Sequence, residues 1–239
     1  VAGAAGWGLW IFKPEKAPAP IAVAPPPVET APQPETPPTP PLPSLTETDS
    51  VVRKLMAQLG EGGILSGWLK ESDLVRRFVA GVARIADGES PRLSFSFLSP
   101  AGQLQVVTEG GRTFIDPKSY QRYDAVSAAV GSLEPTTIAK IYQSLRPLLE
   151  AAYREIGPPN TSFEQVLSRA MGRLIAVPVP AGQVEVVPHT IGYRFKDPKL
   201  EALPAGEKHL LRMGPENMKR IQAKLRDLSA TLGVSPNVP

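Results

Sequence analysis

The chain reads as an α+β protein, predominantly α-helical, with two small β-hairpins. Three observations predict this. Beyond Leu45, apolar residues recur at three- and four-residue spacing over most of the chain. Two short strand-like runs, LQVVTEGGRTFI and QVEVVPHTIGYRF, interrupt the helical pattern. The run Pro100–Val107 (PAGQLQVV) also returns as Pro180–Val187 (PAGQVEVV), six of eight residues identical, 80 positions on. Each copy follows a helix and leads to an Asp-Pro-Lys, at 116–118 and 197–199. The spacing points to an internal duplication, helix–helix–hairpin–helix twice, over about 46–133 and 135–233.

The first helix takes its cap from Thr48, Asp49 or Ser50 and turns Val52, Leu55, Met56 and Leu59 inward. Gly60, Gly62 and Gly63 end it. The run GEGGILSG resembles a phosphate loop only in its glycines: no Lys-Ser/Thr follows, and Leu65 stands where a dinucleotide loop has its third Gly. A helix over Ser72–Ala86 buries Leu74, Val75, Phe78, Val79, Val82 and Ile85. In the first hairpin Gly110-Gly111 suits a turn with positive φ, which pairs Glu109 with Arg112 and Val107 with Phe114. Asp116 then caps a helix with Pro117 at its first position, and that helix carries SYQRYDAVSAAVGSL. A long helical stripe over 135–156 contains Pro147, where a kink or break is expected. Thr161 or Ser162 caps the helix SFEQVLSRAMGRLIA, with Glu or Gln three residues on. Gly214 is expected in the αL conformation that stops a helix, and Pro215 and Glu216 suit the start of the next. Met218, Ile221, Leu225, Leu228 and Leu232 then form a stripe for the core or a partner.

The N-terminal region differs. Val1–Phe12 carries no charge, and Trp7 and Trp10 precede Lys13 like the aromatic belt of a span leaving a bilayer. Twelve residues fall short of the roughly 20 a spanning helix needs, so residues 1–12 read as the end of a truncated transmembrane anchor. Of the 28 prolines, 13 fall between Pro14 and Pro43, so residues 13–44 read as an extended spacer. The folded domain is expected over 45–233, followed by a flexible tail over 234–239.

Chemistry is sparse. With no cysteine, disulfides, cysteine catalysis and thiolate metal sites are excluded. Neither His189 nor His209 has a second histidine at metal-ligand spacing, and no hydrolase or phosphate-binding motif occurs. No catalytic residue, metal site or cofactor is assigned. A net charge of +3 is too small and too dispersed to favour nucleic acid as a partner. Two clusters stand out. Tyr120, Arg122, Tyr123 and Asp124 lie within SYQRYD. Arg212, Glu216, Asn217 and Arg220 crowd the helix break in RMGPENMKR. Capping accounts for Gly214, Pro215 and Glu216 but not for two arginines and an asparagine at one break, so these eight residues are the candidate binding set.

SYQRYD, LRPLLEAAYREIG and above all LLRMGPENMKRIQAKLRDL resemble a bacterial family defined only as a domain of unknown function, number three thousand and fourteen. The resemblance spans about Leu45–Leu228. It implies a single N-terminal span, a proline-rich linker and a domain in the periplasm, held at the inner membrane. Lys13 and Lys16 just beyond the apolar run weigh against that orientation. The family brings no activity or catalytic residue. The expected function is a non-catalytic, membrane-tethered interaction or scaffold module of the cell envelope, with a protein partner there. The alternatives are an envelope enzyme using carboxylates on cell-wall or lipid-linked substrates, and an anionic-ligand binder using the arginines of the last helices.

Overall fold

A computed structural model describes residues 44–59 and 65–238. The anchor and nearly all of the linker read from the sequence lie outside the described residues. Among the described residues, ten α-helices and four strands build the domain, along with four 3₁₀ turns. Helices α1 (Asp49–Met56), α2 (Leu65–Trp68) and α3 (Leu74–Ala86) precede a hairpin of β1 (Val106–Glu109) and β2 (Arg112–Ile115). Then come α4 (Pro117–Tyr120), α5 (Asp124–Gly131), α6 (Pro135–Arg154) and α7 (Phe163–Ala176). A second hairpin, β3 (Val186–Pro188) and β4 (Tyr193–Phe195), leads to α8 (Pro198–Glu201), α9 (Ala205–Leu211) and α10 (Pro215–Leu232). Helices with two small antiparallel sheets are the α+β class expected.

Local chemistry explains most starts. Asp116 and Asp197 each accept the N–H two residues on, from Lys118 and Lys199, both at 2.8 Å, with proline at the first helical position. Ser162 and Gln165 form a reciprocal capping box on α7. The first hairpin has the expected register, Val107 opposite Phe114 and Glu109 opposite Arg112. The second keeps it 80 residues on, with Val187 opposite Arg194. In both, the strand pair is closed by the same extra bond, Asp116 N–H to Gln105 O and Lys196 N–H to Glu185 O, each 3.0 Å. The order helix, hairpin, short capped helix thus recurs, as α3, β1, β2, α4 and as α7, β3, β4, α8.

Several expectations are corrected. The helix expected from Ser72 starts at Leu74, because Asp73 takes an αL conformation (φ 56°). Its cap comes from a distance: the Asp49 carboxylate accepts the N–H groups of Asp73 (3.0 Å) and Leu74 (2.9 Å). The helix carrying SYQRYD is broken into α4, a 3₁₀ turn over Gln121–Tyr123, and α5. Helix α6 runs through Pro147 without a break. Pro147 is on the exposed face, where water can serve the carbonyl that loses its partner. Residues 234–238, expected as a loose tail, lie against α7: Val234 is buried, and the Asn237 N–H reaches Ser168 O at 3.2 Å. A Cβ on Gly172 would fall 2.0 Å from Asn237 O, so glycine there makes room for the terminal segment.

One core lies between α1, α3, α6 and α7, with Leu74, Val79 and Phe163 fully buried. A second joins both hairpins to α9 and α10 through Ile115, Phe195, Leu211 and Met218. The hairpins meet where Phe114 bridges Glu185 and the Ile115 N–H donates to Val184 O at 3.0 Å. β2 therefore meets β3, which is the counterpart of β1, in a head-to-tail contact.

Candidate functional site

The fold brings the two sequence clusters together. Helix α5, which follows SYQRYD, packs along α10, which follows the Gly-Pro-Glu-Asn break. Gly214 sits at the N-cap of α10 with φ 82° and ψ 162°. This corrects the αL expectation: the backbone is in the extended positive-φ region, open essentially to glycine alone. The reason is contact. A Cβ at 214 would lie 2.3 Å from Cγ of Tyr120 and 2.8 Å from its Cβ, so the tyrosine packs directly on the glycine backbone. Burial beside that turn pushes the Tyr120 hydroxyl above the usual phenol value.

Asn217, on the first turn of α10, is buried. Its amide nitrogen faces Tyr120 O (3.1 Å), the Asp124 carboxylate (3.0 Å) and Met213 O (2.9 Å), sharing its two hydrogens among them. Its amide oxygen faces the Ser127 hydroxyl, which is wholly buried and also lies 3.1 Å from Asp124 O. Arg220 donates to the same hydroxyl at 2.9 Å and lays its methylenes beside Gly131. Tyr120, Asp124, Asn217 and Arg220 therefore form one hydrogen-bonded junction with Ser127, and Tyr120 packs it onto Gly214. Ser127 was not among the sequence candidates. Its place on α5, three residues beyond Asp124, was the available signal.

The remaining candidates lie apart from that network. Arg122 turns back to its own half, donating from Nε to Ser119 O at 2.8 Å and from Nη1 to Gly102 O at 3.2 Å, and stacks on Tyr123. Arg212 sits over the Phe195 ring, 5.6 Å from its centre. Glu216 is exposed and pairs with Lys219 at 2.8 Å. Among the described residues, no group of three or more His, Asp or Glu side chains is placed to hold a metal ion.

A second locus appears at the other hairpin. An open groove of about 420 Å³ runs between the loop Pro180–Glu185 and the start of α8, with Gly182, Glu185, Lys196, Asp197 and Leu200 on its walls. Glu185 is held by Lys196 at 2.6 Å and by Arg112 of the first hairpin. The Arg112 and Lys196 hydrogen bonds lower its carboxyl to about 2. Asp197 is occupied by its cap.

The model of the family described as "Protein of unknown function (DUF3014)" matches residues 74–229, from the first residue of α3 to near the end of α10. The chain belongs to this family. The matched region holds both hairpins, the junction and the groove. No curated protein and no solved structure matches the chain.

Proposed function

We propose that this member of the family is a non-catalytic interaction module, held at the bacterial cell envelope by its N-terminal apolar segment and displayed on the proline-rich spacer. The observation that carries the reading is the open groove beside the second hairpin. Its acidic residues are suited to recognition and poorly suited to proton transfer. Glu185 stays ionised at any pH near neutral because two cations hold it, and a general acid or base works best with its pKa near the operating pH. The other polar concentration, around Asn217, spends its donors and acceptors on the junction between α5 and α10. That arrangement stiffens a platform.

The spacer supports the same reading. Thirty residues of proline-dense chain reach at most about 90 Å at roughly 3.1 Å per residue, a length suited to presenting a domain away from a bilayer. No helix among the described residues is long and apolar enough to cross a membrane, so tethering rests on the apolar segment before Lys13.

The test is site-specific photocrosslinking in the native envelope, with the crosslinker at Gln183 or Leu200 in the groove and at Lys219 as control. The expected result is a discrete partner captured from the groove positions and not from the control, with the protein in the membrane fraction. Recovery of uncrosslinked protein from both groove positions, or its release into the soluble fraction, would overturn the proposal.

A further inference from the structure

Resting on the interaction-module reading, we propose that the groove is a receptor for an arginine side chain carried by the partner. The first half of the same chain holds such a side chain at the matching place. There Arg122 spans from the helix after the hairpin to the loop before it, bonding Ser119 O at 2.8 Å and Gly102 O at 3.2 Å. The two hairpins share one register 80 residues apart, so the counterpart of Gly102 is Gly182. The two Asp-Pro-Lys caps are 81 apart, so the counterpart of Ser119 is Leu200. Gly182 and Leu200 both line the groove. By the same count the residue matching Arg122 is Leu203, an apolar side chain packed into the hairpin core. The second half keeps the walls that embrace a guanidinium in the first and lacks the guanidinium.

Charge and shape agree with that occupant. Glu185 and Asp197 put two carboxylates on the walls; Glu185 is shared by Lys196 and Arg112, so Asp197, which accepts the backbone N–H of Lys199, supplies the charge for an incoming cation. Arginine offers five N–H donors in a planar fork with no acceptor, which suits walls that carry carboxylates. Lysine has the charge but not the fork, and citrulline has nearly the shape but not the charge.

The probe is N-acetyl-arginine methylamide, titrated into the full ¹⁵N-labelled 239-residue chain and followed by amide chemical shifts, with the lysine and citrulline analogues in parallel. A single side chain should bind with a Kd on the order of millimolar. The expected result is saturable shifts centred on Gly182, Gln183, Lys196 and Leu200, with the citrulline analogue about tenfold weaker because its hydrogen bonds are no longer charge-assisted. Asp197→Asn keeps a capping oxygen and removes a charge, so it should weaken arginine binding by about threefold to tenfold. Arg122→Ala should empty the first groove and add a second set of shifts at Gly102 and Ser119. Absence of groove shifts in the native chain, or equal binding of arginine and citrulline analogues, would overturn the inference. If Arg122→Ala retains a folded spectrum yet gains no second site, the equivalence of the grooves falls and the inference with it. These outcomes separate from those of crosslinking. A partner crosslinked at the groove without arginine selectivity leaves the module reading standing and removes this one. Arginine-selective shifts with no partner captured in the envelope do the reverse.

Discussion

Replacing Gly214 by alanine tests the junction at its tightest point. The backbone there, φ 82° and ψ 162°, is essentially closed to residues with a Cβ and costs such a residue about 1–3 kcal/mol. A Cβ would also fall 2.3, 2.6 and 2.8 Å from Cγ, Cδ1 and Cβ of Tyr120. Tyr120 cannot retreat freely, because its own carbonyl accepts from Asn217 and its ring packs into the hairpin core. Displacing it is an overpacking event of about 1–3 kcal/mol. Together the loss is about 2–6 kcal/mol, against a total stability of about 5–15 kcal/mol for an ordinary domain. The assay is urea denaturation followed by circular dichroism. With a slope of about 2 kcal/mol/M the midpoint should fall by about 1–3 M. A cycle with Tyr120→Ala divides the two terms: without the ring, Gly214→Ala should cost only the backbone part. A loss below about 0.5 kcal/mol, within the range of surface substitutions, would refute both the conformation assigned to Gly214 and the contact that explains it. An unchanged loss in the Tyr120→Ala background would refute the contact alone.

Asn217→Ala should cost about 2–3 kcal/mol, since it takes the amide donor from Tyr120 O and from the Asp124 carboxylate and removes one of the partners of the buried Ser127 hydroxyl. The midpoint should drop while arginine-analogue binding at the distant hairpin groove is retained; lost binding with unchanged stability would instead make the junction a recognition site. His209, half-buried and bonded to Ser90 at 2.7 Å, has its pKa lowered by burial first and then by Arg212 and Arg92. The native state therefore binds fewer protons than the unfolded chain at acid pH, so this residue's contribution is present above the unfolded value of about 6.5 and is lost as pH falls below it. Denaturant titrations between pH 8 and pH 5 should show that loss in the native chain and a flatter profile in His209→Gln; parallel profiles would refute the assignment.

What the sequence made legible was local. The hairpin register follows from Gly110-Gly111, the helix starts from Asp-Pro and from Ser162 with Gln165, and each needs only a few adjacent residues. The misses were made by residues far apart in sequence. The start of α3 is set by Asp49, some two dozen residues upstream, which captures the N–H groups of Asp73 and Leu74. The 3₁₀ turn that splits α4 from α5 coincides with Arg122 reaching back to Ser119 O and with Asn217 holding Tyr120 O. The ordering of residues 234–238 depends on Gly172 leaving a slot along α7. In the candidate set, composition and crowding found Tyr120, Asp124, Asn217 and Arg220, which do meet. They could not show that Arg212 and Glu216, in the same motif, face Phe195 and Lys219.

The two halves that carry the hairpins are not two separable domains, and this bears on how a groove on one of them can recognise anything. Leu74 and Val79 of α3 share a single core with Phe163 and Val166 of α7, which stands in the matching position of the second half. Helices α5 and α10 are closed on each other by Asn217, Ser127 and Arg220. The hairpins are tied by the Ile115–Val184 bond and by Arg112 reaching across to Glu185. Each helix pair uses the other half as its apolar partner, so either half alone would expose a face it needs to bury. The groove therefore sits on a surface braced from the opposite half: Glu185, one of its walls, is positioned by Arg112 of the first hairpin as well as by Lys196 of its own. Bracing of this kind lowers the ordering cost of binding. That matters most for a site that takes a single side chain, where the gross interaction is small and little of it can be lost to reorganisation.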